Sequence, residues 1–260
     1  PIDGNIRENV GLLGSPCFEI PRMVEQDRKI RDQAEKTLKQ KGLPKKNFHN
    51  FITAISFLFW SWLYACITLL ILYQAVYAEK FIGIISFLAA FMLLLFIRIG
   101  YFVIIERISA KFSRLKPKII SIYEKDFWRV ERYWKHRMGG LEFLFVGTPF
   151  KNLISRLLGM KIGKKVFDDG IIITEVPMVE IGDCCSFNYN SCLQSHSLEE
   201  GVFKCDTIKV GTGCTVGVNA LVHYGTTIED NVSIEQDSFL MKGEMSESNS
   251  TWRGNPARQV

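Results

Sequence analysis

The chain has 260 residues, 47% apolar and 23% charged, which fits one or two domains of ordinary globular composition. Its net charge is +5, and much of the basic charge adjoins apolar stretches, which favours a membrane surface over nucleic acid as a partner. Seven cysteines occur without a CxxC pair or a Cys/His set at zinc spacing, so we expect reduced thiols and no metal site.

The N-terminal residues predict the end of a preceding domain. The segment "LLGSPCFEIPR" at 12–22 parallels "WRGNPARQV" at 252–260, because in both a Gly-x-Pro follows an apolar residue and precedes an arginine. We interpret 1–24 as the tail of a preceding copy of the C-terminal domain, with a chance match as the alternative, and 25–50 as a basic helix or linker. Since the first residue is proline, we expect a fragment or a processed piece.

Residues 51–106 predict a two-helix transmembrane hairpin. The stretch 51–78 carries no charge, and 81–105 carries only Arg98 near its far end. Each exceeds the roughly 20 residues that a helix needs to cross a bilayer. The alternative is a buried helical hairpin of a soluble protein. Basic residues flank the pair on both outer sides, which predicts a multi-pass membrane protein with both flanks in the cytoplasm.

Residues 107–140 predict a basic amphipathic helix. Within 118–138, apolar residues recur at helical spacing while arginines and lysines fall largely on other faces. Such a helix lies in the membrane interface or packs on its own domain, and both can hold at once.

The remainder, 141–260, contains an internal repeat. Aliphatic residues recur at a strict six-residue step: Val210, Val216, Val222, Ile228, Ile234 and Leu240. An upstream set at the same step is Ile181, Phe187 and Leu193. This period predicts a parallel β-helix of hexapeptide repeats, in which three repeats make one triangular coil with the aliphatic side chains inside. The segment 196–209 breaks the pattern and predicts a mobile loop that begins at His196.

These residues resemble a known family. "IGDCCSFNYN", a histidine before an excursion, and "WRGNPARQV" resemble the hexapeptide-repeat acyltransferases. Across nearly the whole chain, "GTPFKNLISRLLGMKIGKKVFDDG", "LQSHSLEEGVFKCD", "VHYGTTIEDN" and "DSFLMKGE" resemble the membrane-bound C-terminal region of the ε-poly-lysine-synthetase-like nonribosomal peptide synthetases. The resemblance implies a left-handed β-helix, and an adenylation domain and a carrier domain elsewhere in such an enzyme.

The resemblance also implies acyl transfer with His196 as general base, since histidine titrates near neutral pH. Its alternative is a solvated loop histidine. The predicted substrate-binding residues are Asn188, Gln194, Glu199, Glu200 and His223. The predicted donor phosphate-binding residues are Lys204, Lys242, Arg253 and Arg258. For each of them a purely structural or surface role is the alternative. For His49 and His136 the prediction is a surface role.

The hypothesis is therefore a membrane-embedded, amide-forming acyltransferase that passes an aminoacyl group from a phosphopantetheine thioester to an amine. One alternative is a free-standing membrane acetyltransferase that uses acetyl-CoA, whose donor ends in the same phosphopantetheine arm. Another is a β-helix that only mediates assembly. The expected partners are the lipid bilayer, a carrier domain, and neighbouring β-helix domains, in tandem or in a homo-oligomer.

Overall fold

The computed structural model describes residues 8–14, 17–20, 24–137 and 142–260. Much of the predicted domain tail at 1–24 therefore lies outside the described residues, as do 138–140 of the predicted amphipathic helix and residue 141 of the predicted repeat domain. Two short antiparallel strands, β1 (Gly11–Leu13) and β2 (Phe18–Ile20), precede the helices. Phe18 packs on Phe239 with ring centroids 6.4 Å apart, so this segment touches the C-terminal domain.

Two long helices dominate the first half of the chain. Helix α1 spans Val24–Ile82 and helix α2 spans Ile85–Ser113, with Gly83 at positive φ in the turn between them. The predicted linker 25–50 is thus continuous with the first apolar stretch. In the described part of the chain both helices are long and apolar enough to cross a membrane. None of the most apolar 18-residue window of α1 is buried and 17% of that of α2 is, whereas a core helix of a soluble protein would be mostly buried.

The segment after α2 differs from the single helix predicted for 118–138. Strand β3 (Lys118–Ser121) comes first, and helix α3 (Lys125–His136) follows. Ile119 and Ile120 fit helical spacing, but they also fit a strand, and pairing with a later strand decides the outcome. Helix α3 buries Val130 and Tyr133 fully, so it packs within the protein as the second interpretation proposed.

The C-terminal domain is a parallel β-helix with three sheets. A short 3₁₀ turn (Glu142–Phe145) and helix α4 (Pro149–Leu158) precede it, and another 3₁₀ turn (Val176–Met178) lies between its first two coils. The first sheet contains β4 (Lys161–Ile162), β7 (Val179–Ile181), β12 (Ile208–Val210), β15 (Thr227–Ile228) and β18 (Met245–Ser246). The second contains β5 (Phe167–Asp168), β8 (Ser186–Phe187), β13 (Thr215–Val216), β16 (Ser233–Ile234) and β19 (Thr251–Arg253), closed by antiparallel β20 (Arg258–Gln259). The third contains β6 (Ile172–Ile173), β9 (Cys192–Gln194), β14 (Leu221–His223) and β17 (Phe239–Leu240).

The six-residue pattern is confirmed as the core of this domain. The six aliphatics from Val210 to Leu240 are each 4% exposed or less and belong to one buried cluster. Burying each such side chain contributes about 1.5–3 kcal/mol. Asparagine fits the corners because it tolerates positive φ, as Asn219 and Asn231 show with φ of 56° and 57°. The handedness implied by the resemblance stays a prediction.

The predicted mobile loop is an ordered hairpin, which corrects the expectation. Strands β10 (His196–Glu199) and β11 (Val202–Cys205) pair antiparallel around a turn with Glu200 and Gly201 at positive φ. Strand β11 also pairs antiparallel with β3, so the three strands form one sheet with β11 in the centre and β10 at one edge. Its backbone groups find partners in a segment that follows the apolar helices.

Candidate functional site

His196 lies where the third sheet of the β-helix gives way to the hairpin. The preceding turn is anchored to the coil below, since the Ser195 N–H donates to Thr174 Oγ1 at 3.0 Å. The side-chain amide of Gln194 donates to the His196 carbonyl oxygen at 3.1 Å. Ser195 is fully buried. The backbone that carries the imidazole is therefore held on both sides by the coil.

The imidazole of His196 forms a dyad with Glu175. Its Nδ1 lies 2.9 and 3.0 Å from the two carboxylate oxygens, and Glu175 is 0% exposed. An ionised carboxylate only accepts hydrogen bonds, so Nδ1 carries the proton and Nε2 presents a lone pair. The His196 side chain keeps 17% exposure, and among the described residues none hydrogen-bonds Nε2. Such an arrangement suits a general base.

Two further groups hold the Glu175 carboxylate. Trp134 Nε1 donates to one oxygen at 2.7 Å, and Thr174 Oγ1 donates to the other at 2.5 Å. The Trp134 ring also packs on the His196 ring, with centroids 4.7 Å apart, and Phe203 packs at 5.7 Å. The dyad thus sits between an aromatic wall from α3 and one from β11.

Sequence reasoning assigned no role to Glu175, Thr174 or Trp134. The repeat period gave no signal for the glutamate. Strand β6 pairs with β9 at an offset of 20 residues (172 to 192), whereas three hexapeptides give 18, so the position of Glu175 one coil back from Ser195 follows only from the structure. Trp134 had no signal either, because it comes from a helix outside the repeat.

A buried network of charges lies beside the dyad. Glu199 accepts from Lys242 Nζ at 2.6 Å and from Lys204 Nζ at 3.0 Å, and Lys204 also donates to Asp27 of α1 at 2.7 Å. Burial alone would raise the pKa of Glu199, but the hydrogen bonds from Lys242 and Lys204 lower it below its usual 4.5. Ser197 Oγ bridges Glu199 and the Tyr224 hydroxyl.

The two lysines predicted to bind a donor phosphate are therefore matched by carboxylates in this structure. Their side chains are 9% and 8% exposed, which favours a role in holding the hairpin to α1 and to the prism. The other two predicted phosphate ligands, Arg253 and Arg258, are largely exposed and lie near Glu235 and Glu244. The phosphate role of all four stays a prediction.

His223 and Gln194 occupy paired positions on neighbouring coils. His223 packs against Tyr224 and Phe239, with ring centroids 5.5 and 5.3 Å away. Burial, and then the positive charge of Lys242, lowers the pKa of His223 from 6.5 to about 4, so this imidazole is neutral at pH 7.

The remaining predicted substrate-binding residues, Asn188 and Glu200, have their described contacts outside the dyad. Asn188 donates through Nδ2 to the Val216 carbonyl oxygen at 2.9 Å, across neighbouring coils. Glu200 lies in the hairpin turn, 3.8 Å from Arg31 of α1. Among the described residues, no hydrogen bond or ion pair joins Asn188, Arg253 or Arg258 to the dyad.

The surface role predicted for His136 is wrong. Its ring is buried between α1 and α2, with Nε2 2.8 Å from Ser56 Oγ and Nδ1 3.4 Å from Ser109 Oγ. His136 lies on the buried face of α3, and its contacts with two serines come from helices that are distant in sequence, so the spacing of residues within α3 did not predict them. His49 is half-buried, and its Nε2 lies 2.9 Å from Arg132.

Among known proteins, the chain is similar to part of a synthetase and to solved structures of acetyltransferases. No protein-family profile matches the chain. Over 111 residues it is 34% identical to the delta-poly-L-ornithine synthetase of Acinetobacter baumannii (strain AB307-0294), which is 43% of this chain and 8% of that protein. The chain thus spans a small part of the length of that relative.

The solved structures similar to the chain include two acetyltransferases. A maltose O-acetyltransferase from Clostridium difficile 630 matches with a TM-score of 0.41 and 19% identity, over 58% of this chain and 95% of that one. A hexapeptide-repeat acetyltransferase from Vibrio cholerae matches with a TM-score of 0.38 and 16% identity, over 46% and 85%. Both TM-scores are below 0.5, and the parallel β-helix is evident from the strand pairing of the coils themselves.

Proposed function

We propose that this chain is an amide-forming acyltransferase module of a nonribosomal-peptide-synthetase-like enzyme. It takes an aminoacyl group from a phosphopantetheine thioester and passes it to an amine, with His196 as the general base. The observation that carries this proposal is the dyad: His196 Nδ1 is fixed by the buried Glu175, and Nε2 faces away from it. The 34% sequence identity over 111 residues to a delta-poly-L-ornithine synthetase supports an acyltransferase that forms amide bonds.

The reaction needs a general base, which His196 supplies, and a donor to the developing oxyanion. The acceptor nitrogen attacks the thioester carbonyl carbon while Nε2 of His196 takes the proton that the nitrogen loses. Negative charge collects on the carbonyl oxygen, where backbone N–H groups of a coil corner can stabilise it. The carbon–sulfur bond then breaks, the amide remains, and the imidazolium returns its proton to the departing thiolate. Glu175 faces the imidazolium charge throughout and keeps the ring in one tautomer.

Helices α1 and α2 anchor this module in a bilayer, with the β-helix on the cytoplasmic side. Their exposed apolar side chains support this part of the proposal, because no described part of the chain covers them. The lysines and arginines at the outer helix ends support the orientation. A carrier domain brings the donor thioester, and Arg253 and Arg258 are candidates to meet its phosphate.

Neighbouring β-helix domains are the other proposed partners. The packing of Phe18 on Phe239 supports a contact between the tail of a preceding domain and this prism. The surface that such a neighbour would meet includes the coil that carries His223, next to the dyad.

The test uses the full-length enzyme in membranes, with the product identified by mass spectrometry. His196→Ala is expected to abolish product while loading of the carrier thioester is unchanged. Gln259→Ala is the control, because its side chain is exposed in the closing strand β20, away from the dyad. Unchanged product formation in His196→Ala would favour the assembly-scaffold interpretation. Product made from acetyl-CoA alone would favour the free-standing acetyltransferase.

A further inference from the structure

A cavity of about 170 Å³ lies where α1, α2 and α3 meet. Its polar wall includes Arg129, Arg132 and His136 of α3, and its apolar wall includes Trp60 of α1 and Phe112 of α2. The acyl-transfer site does not use it: the residues that build the dyad lie on the opposite side of α3, which presents Trp134 to His196.

The cavity has an excess of positive charge. The Arg132 guanidinium donates to Thr53 Oγ1 and to His49 Nε2, both at 2.9 Å, and among the described residues it has no carboxylate partner. Arg129 donates to Asp126 at 2.6 Å. Two guanidiniums thus face one described carboxylate. Burial, and then the neighbouring Arg129, lowers the pKa of Arg132, as expected for a cation that lacks a matching anion.

The apolar wall tells what kind of anion fits. Phe112 is 70% exposed although it borders the cavity, so an apolar surface runs outward from the two arginines. The cavity also lies at the end of the apolar stretches of α1 and α2 that is opposite the turn at Gly83, where Lys45, Lys46 and Lys111 lie. Two guanidinium groups lie beside an apolar surface, at the basic end of two apolar helices. This combination fits an anionic lipid, whose headgroup is charged and whose acyl chains are apolar.

We propose that this cavity binds the phosphate of an anionic phospholipid. Arg129 and Arg132 donate to the phosphate oxygens, and the acyl chains lie along Trp60 and Phe112. The proposal rests on the membrane location in the proposed function and goes beyond the acyl-transfer chemistry. Because Arg132 and Trp134 are two residues apart on α3, a bound lipid would also restrain the helix that supports Glu175.

The test measures thermal unfolding of the full chain, purified in detergent, during titration with three probes. These are dioleoyl phosphatidylglycerol, dioleoyl phosphatidylcholine and inorganic phosphate. Phosphatidylcholine carries the same phosphate, but its choline cation cancels the net negative charge that the two arginines attract. With about fivefold in affinity for each arginine that attracts this net charge, phosphatidylglycerol should protect at about 25-fold lower concentration than phosphatidylcholine. Inorganic phosphate should protect far less than the lipid, since it makes no contact with the apolar wall.

Charge variants identify the site. Arg132→Gln and Arg129→Gln should each raise the half-saturating concentration of phosphatidylglycerol about fivefold. Lys111→Gln, an exposed charge at the same helix end, is the matched control and should change it less than twofold. If Arg132→Gln does not fold, Arg129→Gln carries the test, because its described hydrogen bond goes to the partly exposed Asp126.

Several results would overturn the proposal. These are equal protection by the two lipids, equal effects of all three charge variants, or full protection by inorganic phosphate. The readout needs no acyl transfer, so His196→Ala should bind lipid as the unmodified chain does. A failure of the lipid site and a failure of the acyl-transfer proposal are therefore distinguishable.

Discussion

The indole of Trp134 packs on the imidazole of His196 with ring centroids 4.7 Å apart, and its Nε1 donates to the carboxylate that holds that imidazole. The two residues belong to different parts of the molecule. His196 begins the hairpin that leaves the β-helix, whereas Trp134 lies on α3, which packs against α2. The dyad is thus assembled between the prism and the segment that joins it to the apolar helices.

Replacement of Glu175 by glutamine tests the role of the carboxylate. The amide keeps the shape, but its NH₂ group can donate to Nδ1 and so favour the tautomer with the proton on Nε2. We expect kcat to fall about 10²- to 10⁴-fold, the range for loss of general base catalysis, with KM little changed. Glu180→Gln is the control, because Glu180 pairs with the exposed Lys161. Equal activity of the two variants would contradict the role of Glu175.

Replacement of Trp134 by phenylalanine removes one donor and keeps an aromatic ring. Loss of a hydrogen bond to a charged group costs about 1.5–3 kcal/mol, so we expect kcat to fall about tenfold or more while KM stays within about twofold. Trp252→Phe is the matched control, since the Trp252 indole donates to Ser250 at the far end of the prism. A merely structural role would lower the melting temperature and the amount of folded protein without this split between kcat and KM.

The ion pair between Asp27 and Lys204 should be a strong contributor to stability. Both side chains are buried, and replacement of Lys204 by methionine removes the cation that lies between Asp27 and Glu199. We expect the free energy of unfolding to fall by about 3 kcal/mol. Lys161→Met breaks an equally short but exposed ion pair with Glu180 and should cost about 0–1 kcal/mol.

A double-mutant cycle completes that test. If Asp27 and Lys204 interact as described, Asp27→Asn combined with Lys204→Met should destabilise the protein by less than the sum of the single changes. Additive effects would show that the pair is not coupled, and the hairpin would then be held to α1 by other contacts.

The lowered pKa of His223 predicts a dependence of stability on pH. Between pH 6.5 and about 4 the unfolded chain binds a proton at this imidazole and the folded chain does not. The free energy of unfolding therefore rises with pH in this window, by up to about 1.4 kcal/mol per pH unit, and this stability is lost as the pH falls towards 4. Above pH 6.5 this histidine contributes no slope.

Thermal unfolding at pH 7.0 and 5.0 measures this effect. His223→Gln should lose less stability than the unmodified chain between the two values, because glutamine does not titrate. Gln259→Ala, an exposed change in the closing strand β20, is the control and should leave the slope unchanged. A slope that persists unchanged in His223→Gln would assign the pH dependence to other groups.

Local pattern was sufficient for the regular parts of this protein. The hexapeptide step from Val210 to Leu240 depends only on residues six apart, so it identified the inward positions of the β-helix before any contact was known. Two long apolar runs, the second carrying only Arg98, identified the apolar part of α1 and most of α2 for the same reason. The position of His196 at the start of an excursion also followed from the break in the repeat.

The same reasoning from neighbouring residues failed for residues 118–121, which were predicted to be helical but pair with a distant strand. Ile119 and Ile120 lie in β3 because β11 pairs with them, and Phe203 is 83 positions beyond Ile120. That pairing also turns the predicted mobile loop into an ordered sheet. A helical period and a strand are both compatible with such a short apolar segment, so only the partner decides.

The coils, the two apolar helices and the place of His196 could be predicted from the chain alone, since each depends on neighbours a few residues away. The surroundings of that histidine could not be predicted, because they depend on contacts between distant segments. Glu175 comes from the previous coil, Trp134 from α3, and Phe203 from the hairpin. Their meeting depends on how the helical segment packs against the prism, and side-chain packing over such separations leaves no periodic trace in the chain.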